Sequence, residues 1–248
     1  MAIFITGDTH GDFRRFSATN FPEQKSLCKE DYVIICGDFG GVWDESKEEN
    51  YWLDWLNKKP FTTLFVDGNH ENFDLLNQLP TEKWNGGKVR FVRDSIMHLT
   101  RGQVFNINGK KFFALGGASS HDIQDGILEQ DDPFFIFKRK QLDARMASYR
   151  INHVSWWKEE LPSDEEYETA LKSLKANNWQ VDYILSHCLP LSVINTFGAG
   201  LYSHDKLTEF MEEVKERCDF KKWFCGHYHD NRKILGKHIL LYEQIVEI

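Results

Sequence analysis

The sequence is poor in the features that mark specialised classes of protein. Its five cysteines are odd in number and form no C-x-x-C pair, so buried, reduced thiols are the favoured interpretation. No apolar run approaches the length that crosses a bilayer, and no Pro- or Gly-rich linker divides the chain. We therefore expect a cytoplasmic globular protein without a membrane partner. The cysteines are Cys28, Cys36, Cys188, Cys218 and Cys225.

An excess of basic residues is also missing. The 30 Lys and Arg residues are outnumbered by 38 Asp and Glu residues, which gives a formal net charge of −8. Binding to extended duplex nucleic acid is disfavoured, because it needs a basic face that displaces counterions. A small phosphorylated substrate stays compatible with this charge, since bound divalent cations would make a pocket locally positive. Protein partners cannot be identified from the sequence.

Polar side chains follow five short apolar runs, each with the composition of a buried strand. The runs are Ile3–Ile5, Tyr32–Cys36, Thr63–Val66, Tyr183–Leu185 and Trp223–Cys225. The residues that follow them are Asp8 and His10, Asp38, Asn69 and His70, His187, and His227 and His229. Because the carboxyl ends of neighbouring strands meet at one edge of an α/β sheet, we expect these side chains to share one crevice. Carboxylate, amide and imidazole ligands without thiolates favour hard or borderline divalent cations.

Each of these pieces alone also has a purely structural interpretation. Gly-Asp and Gly-Asn-His are common turn sequences. A single histidine at a strand end, such as His187, is more often a hydrogen-bonded structural residue than a ligand. The ordered set after five predicted strands is what favours a metal site.

The order of the predicted elements favours an α/β fold in a single domain spanning residues 1–248. Strands alternate with helices at both ends of the chain, and the middle is rich in hairpins, of which Asn108-Gly109 gives the clearest signal. This pattern predicts two sheets packed face to face with helices outside. Because the candidate ligands run from Asp8 to His229, a second domain would divide the site. Helices are predicted near Gly11–Phe16, Lys47–Asn57, Glu71–Gln78, Lys138–Ala147, Val154–Glu160, Asp164–Lys175 and Asp205–Arg217.

An ordered set of motifs resembles the calcineurin-like metallophosphoesterases over nearly the whole chain. The motifs are Gly-Asp-Thr-His-Gly (Gly7–Gly11), Gly37-Asp38, Gly-Asn-His-Glu (Gly68–Glu71), His187 and Gly-His-Tyr-His (Gly226–His229). The resemblance implies a four-layer α/β/β/α sandwich of two mixed sheets flanked by helices. It also implies two divalent metal ions as cofactors, Mn²⁺, Fe²⁺/Fe³⁺ or Zn²⁺. The implied ligands are Asp8, His10, Asp38 and His229 for the first ion, and Asp38, Asn69, His187 and His227 for the second.

The resemblance further implies a metal-dependent phosphoric ester hydrolase acting on a small phosphomonoester or phosphodiester. A hydroxide bridging the ions would attack phosphorus, and His70 would act as the catalytic residue that assists the leaving group. Two alternatives stay open: a nuclease or cyclic-nucleotide phosphodiesterase, and a non-catalytic interaction scaffold on the same fold. The protein Ser/Thr phosphatases of the family continue Gly-Asp with Asp-Arg-Gly, whereas this chain reads Phe39-Gly40. Protein phosphatase activity is therefore disfavoured, and Asp44 or Glu71 would have to supply the carboxylate that orients His70.

Three segments are candidates for the entrance to the site: Phe39–Glu45, Gly116–Phe135 and Cys188–His204. His121 and His204 could reach the site from their loops, although a solvated position is the commoner interpretation. Arg150 could bind a phosphate oxygen, but pairing with a nearby acid is the commoner role. Adjacent Trp156 and Trp157 could stack on a base, whereas packing is the usual role of such residues.

Overall fold

The computed structural model describes residues 1–198 and 204–248, which form two large sheets with helices on their outer faces. The strands are β1 (Ile3–Thr6), β2 (Tyr32–Cys36), β3 (Thr62–Val66), β4 (Thr81–Trp84), β5 (Gly87–Arg93), β6 (Ile96–Leu99), β7 (Gln103–Ile107), β8 (Lys110–Leu115), β9 (Ile127–Leu128), β10 (Arg150–Ile151), β11 (Tyr183–Ser186), β12 (Lys222–Cys225), β13 (Arg232–Ile234), β14 (His238–Leu240) and β15 (Val246–Glu247). The α-helices are α1 (Lys47–Asn57), α2 (Phe73–Leu76), α3 (Phe135–Ala144), α4 (Asp164–Ala176), α5 (Leu191–Ile194) and α6 (Lys206–Arg217). None of the described helices has the length and apolar character of a membrane span.

The two sheets are mixed, with parallel strands at their centres. The first has the strand order β15-β1-β2-β3-β6-β5-β4, and the second has the order β13-β14-β12-β11-β8-β7. In the first sheet Ile5 pairs with Ile34, and Ile34 pairs with Leu64, so β1, β2 and β3 run parallel and in step. Strands β11 and β12 are likewise parallel in the second sheet. The loops that leave these five strands therefore emerge at the carboxyl edges of the sheets.

Side-chain alternation along the strands separates the inner core from the outer ones. Ile3 and Ile5 of β1 lie in the core between the two sheets, whereas Phe4 packs in an outer core with α1. In β8 the same alternation sends Phe112 inwards and Phe113 towards the cluster that contains α4 and α6. The structure thus confirms the predicted four-layer α/β/β/α sandwich of two mixed sheets flanked by helices.

Strong local signals predicted several elements correctly. Helix α1 has the predicted bounds, and Ser163 and Glu166 form the capping box that opens α4. Asn108 and Gly109 adopt φ values of 52° and 74° in the turn between antiparallel β7 and β8. All five cysteines are free, and four of them are buried as expected, whereas Cys28 is exposed.

The predicted helix Val154–Glu160 is wrong. Trp157 has extended backbone with φ −135° and ψ 141°, and only Lys158–Glu160 forms a short 3-10 helix. The Trp157 side chain is 1% exposed and donates its indole N–H to Asp74 over 2.7 Å. A tertiary contact therefore overrides the local helical pattern. Two other predicted helices are shorter than expected, a 3-10 turn at Arg14–Phe16 and α2 at Phe73–Leu76.

Candidate metal centre

Five loops, three from the first sheet and two from the second, meet at one point between the sheets. They follow β1, β2 and β3, and β11 and β12, the five strands that the sequence predicted. Contacts below 4 Å connect the seven predicted ligands into one cluster. Its members are Asp8, His10, Asp38, Asn69, His187, His227 and His229.

One side of the cluster consists of Asp8, His10 and His229. Nε2 of His229 lies 3.2 Å from Oδ2 of Asp8, and the Nε2 atoms of His10 and His229 are 3.3 Å apart. The donor atoms of the three residues all lie within 4.8 Å of one another, a spacing that can hold one metal ion. Asp8 is fully buried, so water is excluded from one flank of this group.

The other side of the cluster is organised around His187. Its Nε2 lies 3.2 Å from Oδ1 of Asp38 and 3.2 Å from Oδ1 of Asn69. Its Nδ1 lies 3.0 Å from the carbonyl oxygen of Cys36, to which it donates. With Nδ1–H committed to that carbonyl, Nε2 is the nitrogen that can bind a cation. Asp8, Asp38 and His187 form a second group with ligand-like spacing.

His227 joins the cluster differently from the other histidines. Its main-chain N–H donates to Oδ1 of Asp8 over 2.9 Å, and its ring lies 4.9 Å from that of His187. Its Nε2 lies 2.8 Å from Nε2 of His121, which comes from the loop after β8. His121 is exposed, as expected for a loop residue, and its ring nitrogen also reaches the edge of the cluster.

The charges within the cluster favour ionised carboxylates. Burial opposes ionisation of Asp38, but His187, His70 and His10 outweigh it and hold the pKa of Asp38 below its usual range. Burial alone would lower the pKa of His187, whereas Asp38 and Asp8 raise it to about 10. The imidazolium of His187 thus compensates the buried charge of Asp38. A divalent cation would take over that compensation.

Four of the seven candidate ligands have strained backbone. His10, Asp38, His227 and His229 adopt φ values of 47°, 44°, 70° and 48°, in the left-handed region that costs energy outside glycine. The glycine that precedes His227 also leaves no room for a side chain. A Cβ on Gly226 would lie 2.0 Å from Oδ1 of Asp8. Strain that is retained at several positions of one cluster is typical of functional sites.

Glu71 joins two of the ligand-bearing loops. Its buried carboxylate accepts the main-chain N–H groups of Phe39 over 2.7 Å and of Gly40 over 3.1 Å. These bonds connect the loop after β2, which carries Asp38, to the loop after β3, which carries Asn69. Burial and the nearby Asp38 raise the pKa of Glu71 to about 8. Glu71 therefore braces the main chain rather than orienting the ring of His70.

A second brace, which the sequence did not reveal, fixes the Asn69 side chain. The Oγ–H of Ser120 donates to Oε2 of Glu160 over 2.6 Å, so its oxygen accepts the Nδ2–H of Asn69 over 3.3 Å. The amide nitrogen of Asn69 consequently faces Ser120, and its Oδ1 faces His187. In the sequence, Ser120 is marked only by its position in the loop that follows a strand of the second sheet.

His70 lies beside the cluster and faces a cavity. Its main-chain N–H donates to Oδ1 of Asp38 over 2.8 Å, and its ring lies 5.5 Å from that of His10. Burial lowers the pKa of His70, and Arg150 acts in the same direction. Arg150 is itself paired with Asp122 through Nη2 and Oδ2, 2.5 Å apart, which is the commoner role expected for it.

Two cavities meet at His10. The larger, about 940 Å³, also contacts Asp8, Arg14 and Tyr242. The smaller, about 500 Å³, is lined by residues that include Trp43, His70 and Arg150. The predicted entrance segment Phe39–Glu45 thus contributes to the smaller cavity. Residues 199–203 of the predicted segment Cys188–His204 lie outside the described residues.

Comparison with known proteins gives a consistent result. A sequence model of the calcineurin-like phosphoesterase family matches residues 1–231. Lariat debranching enzyme A of Xenopus laevis is 25% identical over 92% of this chain and 43% of its own length. The lariat debranching enzymes of Danio rerio and Drosophila pseudoobscura pseudoobscura are 26% and 23% identical, each over 96% of this chain and over 42% and 44% of their lengths. The chain therefore spans less than half the length of these relatives.

Proposed function

The chain belongs to the calcineurin-like phosphoesterase family, and from that premise we propose that it is a metal-dependent phosphodiesterase. The family and the relatives support the class, a metal-dependent phosphoester hydrolase. The preference for a diester over a monoester rests on one observation, the pair of cavities that meet at His10. A diester carries an organic group on each side of phosphorus, and two cavities offer a place for each group.

We propose that the seven clustered residues hold two divalent ions. Asp8, His10, Asp38 and His229 would hold the first, and Asp38, Asn69, His187 and His227 would hold the second. The donor set supports this assignment, because carboxylates and imidazoles suit Mn²⁺, iron and Zn²⁺. Ligand-like spacing is found for two groups, Asp8 with His10 and His229, and Asp8 with Asp38 and His187. When bound, the ions would supply charge neutralisation for the phosphoryl oxygens and acidify water.

The remaining steps fall to the side chains of the chain itself. Glu71 and the Ser120–Glu160 pair would keep the ligand loops in place as charge builds on phosphorus. His70 would donate a ring proton to the leaving-group oxygen, since its ring lies beside His10 at the smaller cavity. Arg150 lines the same cavity while paired with Asp122, and would lie near the leaving group.

The relatives, by their names, suggest one candidate substrate for this chain without establishing it. They are called lariat debranching enzymes, and this chain matches less than half of each. A branched nucleic acid is therefore one candidate among diesters. Small nucleotide diesters, including cyclic ones, are others that the two cavities can accommodate.

A matched pair of chromogenic substrates tests the proposal. We expect the Mn²⁺-loaded protein to hydrolyse bis(p-nitrophenyl) phosphate with a kcat/KM at least about tenfold above that for p-nitrophenyl phosphate. Branched and linear oligonucleotides of equal composition, and cyclic nucleotides, then define the diester. A preference for the monoester would overturn the diesterase assignment. Failure of every ester, with metal bound, would favour the non-catalytic scaffold instead.

We also propose that residues 1–248 form one cytoplasmic domain. Strand β15 near the end of the sequence pairs with β1 at its start, with Phe4 opposite Glu247. Such a closure supports one cooperative unit. A single unfolding transition, the same by fluorescence and by circular dichroism, is the expected outcome, and two separated transitions would contradict it. Cell fractionation tests the location.

A further inference from the structure

We propose that His121 is an additional ligand of the second metal ion, carried by the loop after β8. This inference rests on the proposed function, which places that ion between Asp38, Asn69, His187 and His227. The observation behind it is the 2.8 Å separation between Nε2 of His121 and Nε2 of His227. The family motifs do not include His121, and the sequence alone favoured a solvated position for it.

The chemistry of two facing imidazole nitrogens leads to this role. At most one proton can lie between two Nε2 atoms, so one nitrogen donates and the other accepts. If His227 binds an ion through Nε2, that lone pair is no longer available to His121. The ion then takes the place of the shared proton. Two imidazole nitrogens that bind one ion at about 2.1 Å and at a right angle lie about 3.0 Å apart, close to the separation seen here.

The loop that carries His121 is held on both sides. Asp122 accepts both Nε–H and Nη2–H of Arg150, over 2.8 and 2.5 Å. Asp125 accepts the main-chain N–H of Ser148 over 2.9 Å. On the other side, Ser120 is bonded to Glu160 through its main chain and its hydroxyl. A side chain placed by neighbours that are themselves fixed is pre-organised to bind a ligand.

Metal titration separates this inference from the proposed function. Calorimetric titration of the wild-type protein with Mn²⁺ should give two ions per chain. His121→Gln keeps a polar side chain of comparable length but no imidazole, and we expect it to weaken one of the two ions at least about tenfold. The other ion should be unaffected. His153→Gln is the matched control, because His153 is an exposed histidine bonded to Asp74 on the surface.

A second measurement counts the imidazoles directly. In the Co²⁺-loaded protein, the ring N–H protons of coordinated histidines give strongly shifted NMR signals. We expect His121→Gln to lose one of these signals and His153→Gln to lose none. A hydrogen bond from His121 to His227 without coordination would leave the number of shifted signals unchanged.

The outcomes distinguish the two proposals. A wild-type protein that binds no ion contradicts the proposed function as a whole. A wild-type protein with two ions, together with a correctly folded His121→Gln variant that binds both equally well and keeps all shifted signals, overturns only the role of His121. Circular dichroism establishes the folding of each variant.

Discussion

Nε2 of His187 lies 3.2 Å from Oδ1 of Asp38, and this contact joins the two sheets at their carboxyl edges. Asp38 follows β2 in the first sheet, and His187 follows β11 in the second. Both side chains are almost completely buried, so their charges interact without much screening. The geometry of the site thus depends on the way in which the two sheets pack. It also gives Asp38 the position expected of a carboxylate shared between two ions.

Replacement of Asp38 should therefore affect both ions. Asp38→Asn keeps the size of the side chain but removes the negative charge, and we expect the affinity for metal to fall by about 100-fold or more. Phosphodiester hydrolysis should fall with it. Elemental analysis and calorimetric titration check the metal content. Asp44→Asn is the control for metal content, since Asp44 lies in the same stretch of chain but is exposed and bonds to its neighbours Ser46 and Glu49. An Asp38 variant with two tightly bound ions would contradict a shared carboxylate.

His70 should affect turnover without affecting metal binding. We expect His70→Ala to lower kcat by a factor of roughly 10² to 10⁴, the usual contribution of a general acid. The metal content should stay that of the wild-type protein, because His70 donates only its main-chain N–H to Asp38. The deficit should shrink for esters with good leaving groups, which need no proton. Equal losses for good and poor leaving groups would argue against this role.

The sequence predicted that the candidate ligands would cluster, because each follows directly from a local pattern. Asp8, Asp38, Asn69, His187 and His227 come at the ends of short apolar runs, and parallel strands bring such ends together whatever lies between them. The hydrogen bonds of Glu71, and those between Ser120 and Glu160, could not be predicted in this way. Glu160 contacts Ser120 because of the path that the chain takes between them. Tertiary contacts fix that path, as they also make Trp157 extended instead of helical.

The Ser120 brace should contribute to the affinity of the second ion. Ser120→Ala removes the oxygen that accepts the Asn69 amide and leaves Glu160 without its hydroxyl donor. We expect the second ion to bind about 10- to 100-fold more weakly, as is usual when a group that orients a ligand is lost. Ser119→Ala provides the control, because the adjacent Ser119 bonds to Asp205 instead. Calorimetry should find both ions unchanged in that variant, and an equal loss in both variants would indicate a general effect on the loop.

Asp67 and Arg101 should contribute to stability rather than to turnover. Both side chains are buried, and Oδ2 of Asp67 accepts Nε–H and Nη2–H of Arg101 over 2.7 and 2.5 Å. Asp67→Ala removes the buried carboxylate that pairs with the guanidinium, which then keeps its contacts to Glu166 and to the carbonyl oxygen of Glu159. We expect the free energy of unfolding to fall by about 3–5 kcal/mol. The double variant Asp67→Leu, Arg101→Met should regain part of this loss. Denaturant unfolding measures both, and a double variant less stable than Asp67→Ala would contradict the explanation.

The stability of the fold should depend on pH through His238, the first residue of β14. Its side chain is 4% exposed and lies between the rings of Phe220 and Trp223. Burial, with Lys215 nearby, lowers the pKa of His238 to about 4. An unfolded histidine has a pKa of about 6.5, so between these values the unfolded chain binds a proton that the folded chain does not. The free energy of unfolding should therefore fall as the pH decreases from about 6.5 to about 4.

His238→Leu isolates this dependence, because leucine has a similar volume and no titratable group. As the pH decreases over this range, we expect the wild-type protein to lose up to about 3 kcal/mol of unfolding free energy relative to the variant. Ionisation of the carboxylates and release of metal affect both proteins and cancel in the comparison. His153→Gln is the opposite control, since the hydrogen bond to Asp74 raises the pKa of His153. His153→Gln should lose the stability that this hydrogen bond contributes at low pH, a contribution that fades as the pH rises. If the unfolding free energies of the wild-type protein and His238→Leu change with pH in parallel, His238 takes up its proton as readily in the folded chain as in the unfolded one. That result would contradict the lowered pKa expected from its burial.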